Sequence, residues 1–273
     1  MGTSLFKMPF DIEKTKVIPI YRNPALDQAE VETITCDQIK EIYGELKFQK
    51  LHEDRPYTYT SLVTSIDGRI AFTDAPQGPL IAKLNKYDPD GANSDWWILN
   101  MLRAVSDGDI IGAGTMSAER DYTCHVFSQE LEDARVAAGM QPVPWNIISS
   151  LDATDIPFDH ILFKTKEVPV MISTSAAGIP VIKEKMEEDY IIIGPVKDKS
   201  EVTDEMIAEM KANTDKVIVI ATGDKAPDSH VALYIMKKFG LDKVLVETPS
   251  YMHYLVSQKP VSYTHLRAHE TAA

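Results

Sequence analysis

From Pro56 onward the chain alternates between short apolar runs and longer segments whose apolar residues recur every three or four positions. The short runs predict strands over 57–64, 109–112, 145–149, 168–173, 189–193, 215–221 and 243–247. Several, such as Tyr190-Ile191-Ile192-Ile193 and Lys216-Val217-Ile218-Val219-Ile220, are unbroken rather than alternating. Unbroken runs mean burial on both faces, as in a central parallel sheet. The 3.6-period segments predict helices over 94–106, 128–138, 203–213, 229–239 and 250–258. Strands and helices interleaved by short connections predict an α/β fold: a mainly parallel sheet flanked by helices, joined by right-handed crossovers.

The clearest helix is 94–106. Ser94 is placed to cap it, and Ile98, Met101, Leu102 and Val105 form one apolar stripe. Arg103 falls off that stripe, and Trp96 and Trp97 flank it as core or interface residues. Residues 1–55 are mixed and charged, with one helical signal: Asp37 as N-cap before Ile39, Ile42, Tyr43 and Leu46. They read as an N-terminal extension packed on or between subunits. With no repeats or linker-like stretches after Pro56, residues 56–260 read as one domain.

Composition narrows the function classes. The chain has 273 residues, 44% of them hydrophobic, enough for one sizeable core. A net charge of −13 argues against nucleic acid or an anionic membrane as partner. Cys36 and Cys124 make no CxxC pair, which fits a reducing compartment. No apolar run approaches the roughly 18 residues of a membrane span, and 1–10 lacks a signal-peptide core. The expectation is a cytoplasmic protein.

Two strings carry the candidate chemistry. Thr64-Ser65-Ile66-Asp67-Gly68-Arg69-Ile70-Ala71 ends the first strand in a polar turn, and Gly112-Ala113-Gly114-Thr115 follows the second. Glycines there let backbone N–H groups approach an anion without an intervening Cβ, and the Thr115 hydroxyl adds a donor. Each string alone is equally at home in an ordinary turn. The full G-x-G-x-x-G fingerprint is absent, since position 117 is Ser, and there is no Walker A, G-x-S-x-G or HExxH motif. Ser149-Ser150 and Ser173-Thr174-Ser175 lie at strand carboxyl ends, the edge where open α/β sheets bind ligands. Either pair offers hydroxyls to a ribose or its 2′-phosphate. His52, His125, His160, His230 and His253 show no metal-ligand spacing, so no metal is expected.

Taken together, the Ser-Ile-Asp-Gly-Arg-Ile-Ala string, the Leu102-Arg103-Ala104 helix end and the Gly-Ala-Gly-Thr turn resemble, in that order, the reductase domain of riboflavin biosynthesis, a relative of dihydrofolate reductase. The likeness covers about 57–250, with its specific motifs in 58–122. It implies a dihydrofolate-reductase-like fold and an NADPH-dependent reductase of a phosphorylated aminopyrimidine, acting as a homodimer on a small molecule. Gly112, Ala113, Gly114, Thr115, Ser149, Ser150, Ser173, Thr174 and Thr248 are the cofactor candidates. Thr64, Ser65, Ser94, Arg103 and Glu119 are the substrate candidates, Arg103 as a phosphate fork. Asp67 and Glu247 are the catalytic candidates. Alternatives on the same scaffold are a pterin or dihydrofolate-type reductase and a nucleotide-binding protein without turnover.

Two departures stand out. The family's Glu-Gly-Gly string is here Glu247-Thr248-Pro249-Ser250, so an anion must rely on Thr248, Ser250 and the start of helix 250–258. The zinc deaminase signatures H-x-E and P-C-x-x-C are absent. Finally, 261–273 continues no earlier periodicity and looks like a translated adapter sequence, so it is expected to be a non-native tail following an incomplete domain. His265 and His269 then carry no metal-site meaning.

Overall fold

The computed structural model describes all residues except 1, 20, 22–23, 25–32, 49–51, 66, 89, 259–265 and 271–273. Of the expected tail, 261–265 (His265 included) and 271–273 therefore lie outside the described residues.

After a π-helical turn at Ile39–Tyr43, the chain runs β1 (Tyr57–Thr64), α1 (Leu80–Lys83), α2 (Gly91–Val105), β2 (Gly108–Gly112) and α3 (Ala113–Ala118). It continues with α4 (Gln129–Ala137), β3 (Trp145–Ser149), α5 (Ile161–Lys164), β4 (Val170–Thr174), α6 (Gly178–Lys185) and β5 (Tyr190–Val196). A 3-10 turn leads into α7 (Asp204–Ala212), β6 (Val217–Thr222), α8 (Ser229–Phe239), β7 (Lys243–Val246), α9 (Pro249–Gln258) and β8 (Leu266–Glu270). The sheet order is β5-β6-β4-β3-β2-β7-β1-β8, and all the strand pairs are parallel.

Neighbouring residues of the apolar runs face opposite layers. Ile110, Ile147, Met171, Ile218, Val244 and Val246 pack with α7, α8 and α9, whereas Ile111, Ile148, Ile172 and Val219 pack on the other face. Leu245 joins a third cluster with Tyr57, Tyr59 and the α2 residues Trp97, Ile98, Met101 and Leu102. Each such buried side chain contributes about 2 kcal/mol relative to exposure.

Much of the described N-terminal segment packs in this third cluster, while Leu5 packs on the second. Ile34, Ile39, Ile42 and Phe48 pack beside α2 and β1, and Met8 N–H donates to the Phe127 carbonyl at 3.1 Å. Asp37 does not cap the turn; Gln38 precedes it without a side-chain bond. Ser94 does not cap α2 either, because the helix begins a turn earlier at Gly91. The Ser94 hydroxyl instead accepts from the Lys16 N–H at 3.1 Å. The other end of α2 is closed by Arg135, whose guanidinium donates to the carbonyls of Ala104 (3.0 Å) and Ser106. A cation there also complements the helix dipole.

Within the expected tail, Leu266–Glu270 lies as a strand against the outer edge of β1. That edge offers a row of backbone N–H and C=O groups. Pairing with it does not depend on the side-chain pattern that the sequence reading looked for. Among the described residues, no helix is long and apolar enough to cross a membrane.

Candidate functional site

Because β7 inserts between β1 and β2, the chain connections diverge there, and a crevice opens at the strand carboxyl ends. It is a cleft of about 940 Å³. One side is built from the β2–α3 and β7–α9 turns, with Gly112, Ala113, Gly114, Thr115, Thr248 and Ser250 on its wall. The opposite side is α2, through Asp95, Trp96 and Leu99, together with Glu119 and Tyr122. Ser149, Ser150 and Asp155 close the β3 end.

The glycine turn has distinct needs at its two glycines. A Cβ on Gly112 would sit 2.8 Å from Thr248 Oγ1, so this position lets the β2 and β7 turns meet. A Cβ on Gly114 would meet nothing within 4 Å and would project into open space. That space is what an approaching diphosphate needs. Pro249 opens α9, where its missing N–H costs nothing. The Ser250 hydroxyl lies 3.3 Å from Thr248 Oγ1.

Beneath the cleft floor is a buried charge cluster. Arg103 donates from Nε and Nη2 to the two carboxylate oxygens of Glu247, 2.6 Å each. The guanidinium is fully buried, under Trp96 and Tyr122, whose ring centroids lie 5.8 and 5.0 Å from its central carbon. Tyr122 also donates its hydroxyl to Glu247 at 3.1 Å. Burial works against the Arg103 charge, but the Glu247 carboxylate outweighs it and raises the pKa. Behind them Asp109 accepts from the Ser106 hydroxyl at 2.7 Å, and its other oxygen lies 3.7 Å from Arg103 Nε. Burial, then the charge of Glu247, hold the Asp109 carboxyl well above the usual carboxylate range. Ligand atoms of Asp109, Cys124 and Glu247 fall within 4.8 Å of one another, a grouping of metal-binding type. Arg103 already supplies the positive charge there.

Several expected residues meet in the cleft: the Gly112–Thr115 turn, Ser149, Ser150, Thr248, Glu119 and Glu247. Others do not. Asp67 is exposed and spends its carboxylate on the Ser65 hydroxyl and, at 3.0 Å, on Arg69 Nε. Gly68 at φ 79° completes that turn. Thr64, Ser65 and Ser94 are not on the cleft wall; the β1 residues that line it are Ser61, Leu62 and Val63. Ser173 and Thr174 are buried below the surface, Thr174 beside Gly178. Arg103 is neither a solvated helix arginine nor a free phosphate fork, because Glu247 occupies both arms.

Asp95 and Tyr122 went unread in the sequence, and Trp96 was assigned to core or interface. Asp95 and Leu99 are four residues apart on one helical face, a signal that an acidic residue flanks the apolar stripe. Burial pushes the Asp95 carboxyl up to about 6. Burial, and then Glu247, also raise Glu119.

The sheet, its crevice and the flanking helices define an α/β fold of the dihydrofolate-reductase-like kind. Among solved structures the chain is similar to a pyrimidine reductase-like protein from Corynebacterium diphtheriae, with a TM-score of 0.50 and 18% sequence identity over 81% of this chain and 77% of that one. At that identity the likeness speaks for the fold. No protein-family model and no curated protein matches the chain.

Proposed function

We propose that the chain is a reductase that uses a reduced nicotinamide dinucleotide to reduce a small nitrogen heterocycle. The observation that carries this reading is the Gly114 space, open to the cleft and faced by the start of α9. The fold neighbour's name points the same way. When bound, the cofactor supplies the hydrogen and electron pair of the reduction. This chain's residues do the rest. Backbone N–H groups of the Gly112–Thr115 turn and the hydroxyls of Thr115, Thr248 and Ser250 hold the diphosphate. Trp96, Leu99 and Leu62 exclude water from the reacting faces. Glu247, fixed by Arg103 and Tyr122, keeps one orientation at the junction of the two walls.

NADPH is the cofactor that the resemblance implies. Ser150, however, donates its hydroxyl to Asp155, and a carboxylate there suits a ribose hydroxyl better than a 2′-phosphate. Homodimerisation belongs to the same resemblance, while a cytoplasmic location follows from the composition. The test follows the loss of reduced-nicotinamide absorbance with NADH and with NADPH across aminopyrimidine and pterin substrates. Turnover with any of them supports the reading. Binding of neither dinucleotide overturns it.

A further inference from the structure

The α2 wall of the cleft is held by a segment that the reductase reading does not use. Residues 3–16 are bonded to the domain at short intervals. The Phe6 carbonyl accepts from His125 Nε2 at 2.8 Å, and Lys7 pairs with Glu132 of α4. Further on, the Asn93 amide donates to the Asp11 carbonyl at 3.1 Å and to Thr15 Oγ1 at 2.6 Å. Lys16 N–H donates to Ser94 Oγ at 3.1 Å. Asn93 and Ser94 belong to the first turn of α2, immediately before Asp95 and Trp96 of the cleft wall. Between these two sets of contacts lies Met8. Its N–H donates to the Phe127 carbonyl at 3.1 Å, and its Sδ accepts from the Trp96 Nε1–H at 3.0 Å.

An indole has one polar atom, and it is a donor. Trp96 directs it to a side chain 88 residues earlier in the chain. The centroid of its ring lies 5.4 Å from that of Phe127 and 5.8 Å from the central carbon of the Arg103 guanidinium. The indole is thus seated on Met8, Phe127 and Arg103, with the cleft on its remaining side. A thioether is a weak acceptor but a polarisable partner for an aromatic ring, and such contacts contribute about 0.3–1.5 kcal/mol. That adds little to the stability of the fold, yet it favours one indole rotamer over another by up to about tenfold. Turning the ring away would leave its N–H unpaired and uncover Arg103, which holds the Glu247 carboxylate. We propose that Met8 is a positioning residue of the cleft: its sulfur fixes the Trp96 indole, and the indole sets the cleft's width where the heterocycle enters. What the cleft binds rests on the reductase reading; the seating of Trp96 does not.

Two variants of the full chain provide the test. Met8→Leu keeps the bulk and removes the acceptor, whereas Met8→Gln keeps the length and restores an oxygen acceptor. Acrylamide quenching of tryptophan fluorescence reads Trp96, because Trp97 and Trp145 are only 0% and 5% exposed. Met8→Leu is expected to raise the quenching constant at least about twofold, and Met8→Gln to return it to the wild-type value. Met8→Leu should also melt within about 2 °C of the wild type, since volume-conserving swaps cost little. With a heterocycle that turns over in the absorbance assay, Met8→Leu is expected to raise KM about three- to tenfold. Affinity for NADH and NADPH, held on the opposite wall, should not change. Quenching of Met8→Leu equal to that of the wild type overturns the proposal. Equal quenching of the two variants does so too, because the acceptor would then not be what holds the ring. An unchanged KM also overturns it. Binding of neither dinucleotide, with the quenching pattern intact, removes the reductase reading and leaves the seating of Trp96 standing.

Discussion

Arg103 grips both carboxylate oxygens of Glu247 at 2.6 Å, across 144 residues of chain, and so ties the end of α2 to the end of β7. The pair is buried and shares its pocket with Asp109. Its two elements are the cleft's opposite walls, so the pair sets their spacing as well as the direction of Glu247.

Removing one partner of such a pair is expected to cost more than the pair itself contributes, because the other charge stays buried alone. Arg103→Met is therefore expected to lose about 3–5 kcal/mol in urea unfolding. The double variant Arg103→Met/Glu247→Leu should recover part of that loss. Equal stability of Arg103→Met and the wild type would show that the pair is solvated in solution.

The two glycines of the β2–α3 turn separate fold from binding. Gly114→Val adds bulk where nothing lies within 4 Å, so the melting temperature is expected to stay within about 2 °C while dinucleotide affinity falls at least about tenfold. Gly112→Val puts its Cβ 2.8 Å from Thr248 Oγ1 and is expected to cost about 1–3 kcal/mol of stability by overpacking. If both variants lose stability alike and bind alike, the turn is only structural.

The strands were legible because burial on both faces leaves unbroken apolar runs, and β1 and α8 fall on their expected bounds. Helices of four residues, α1 and α5, were not, since one turn leaves no period to read. The glycine turn and Glu247 were legible through a local motif that sits where the sheet opens. Arg103's role was not, because its partner is distant in sequence and burial alone turns a surface arginine into a structural one. Asp67, by contrast, is not on the cleft wall. Ser-x-Asp-Gly-Arg is a self-contained turn that satisfies its own side chains, so its polarity need not mean a site.

His125 links the N-terminal segment to the domain through the neutral imidazole. Its Nε2–H donates to the Phe6 carbonyl at 2.8 Å, and Nδ1 accepts from the Thr123 hydroxyl at 2.7 Å. Burial lowers its pKa to about 4 from 6.5. A depressed folded-state value gives stability that is present above pH 6.5 and lost as the pH falls toward 4. The whole loss is up to about 3 kcal/mol. Chemical denaturation across that window is expected to show this slope, and His125→Gln to flatten it. Hydrogen exchange at the Met8 amide, bonded to Phe127, should quicken over the same window.

Asp95 has the opposite linkage. Its pKa rises from 3.8 to about 6 because folding buries the carboxyl, so the folded state holds a proton that the unfolded chain has released. Stability from this group is complete below pH 3.8 and is lost as the pH climbs through 6. At neutral pH the charged carboxylate thus costs up to about 3 kcal/mol. Asp95→Asn keeps the shape and removes the charge, and is expected to raise the melting temperature at neutral pH by several degrees. At pH 4 the two proteins should melt nearly together. A variant no more stable at neutral pH than the wild type would mean that solvent reaches Asp95 freely, and the cost assigned to its burial would be withdrawn.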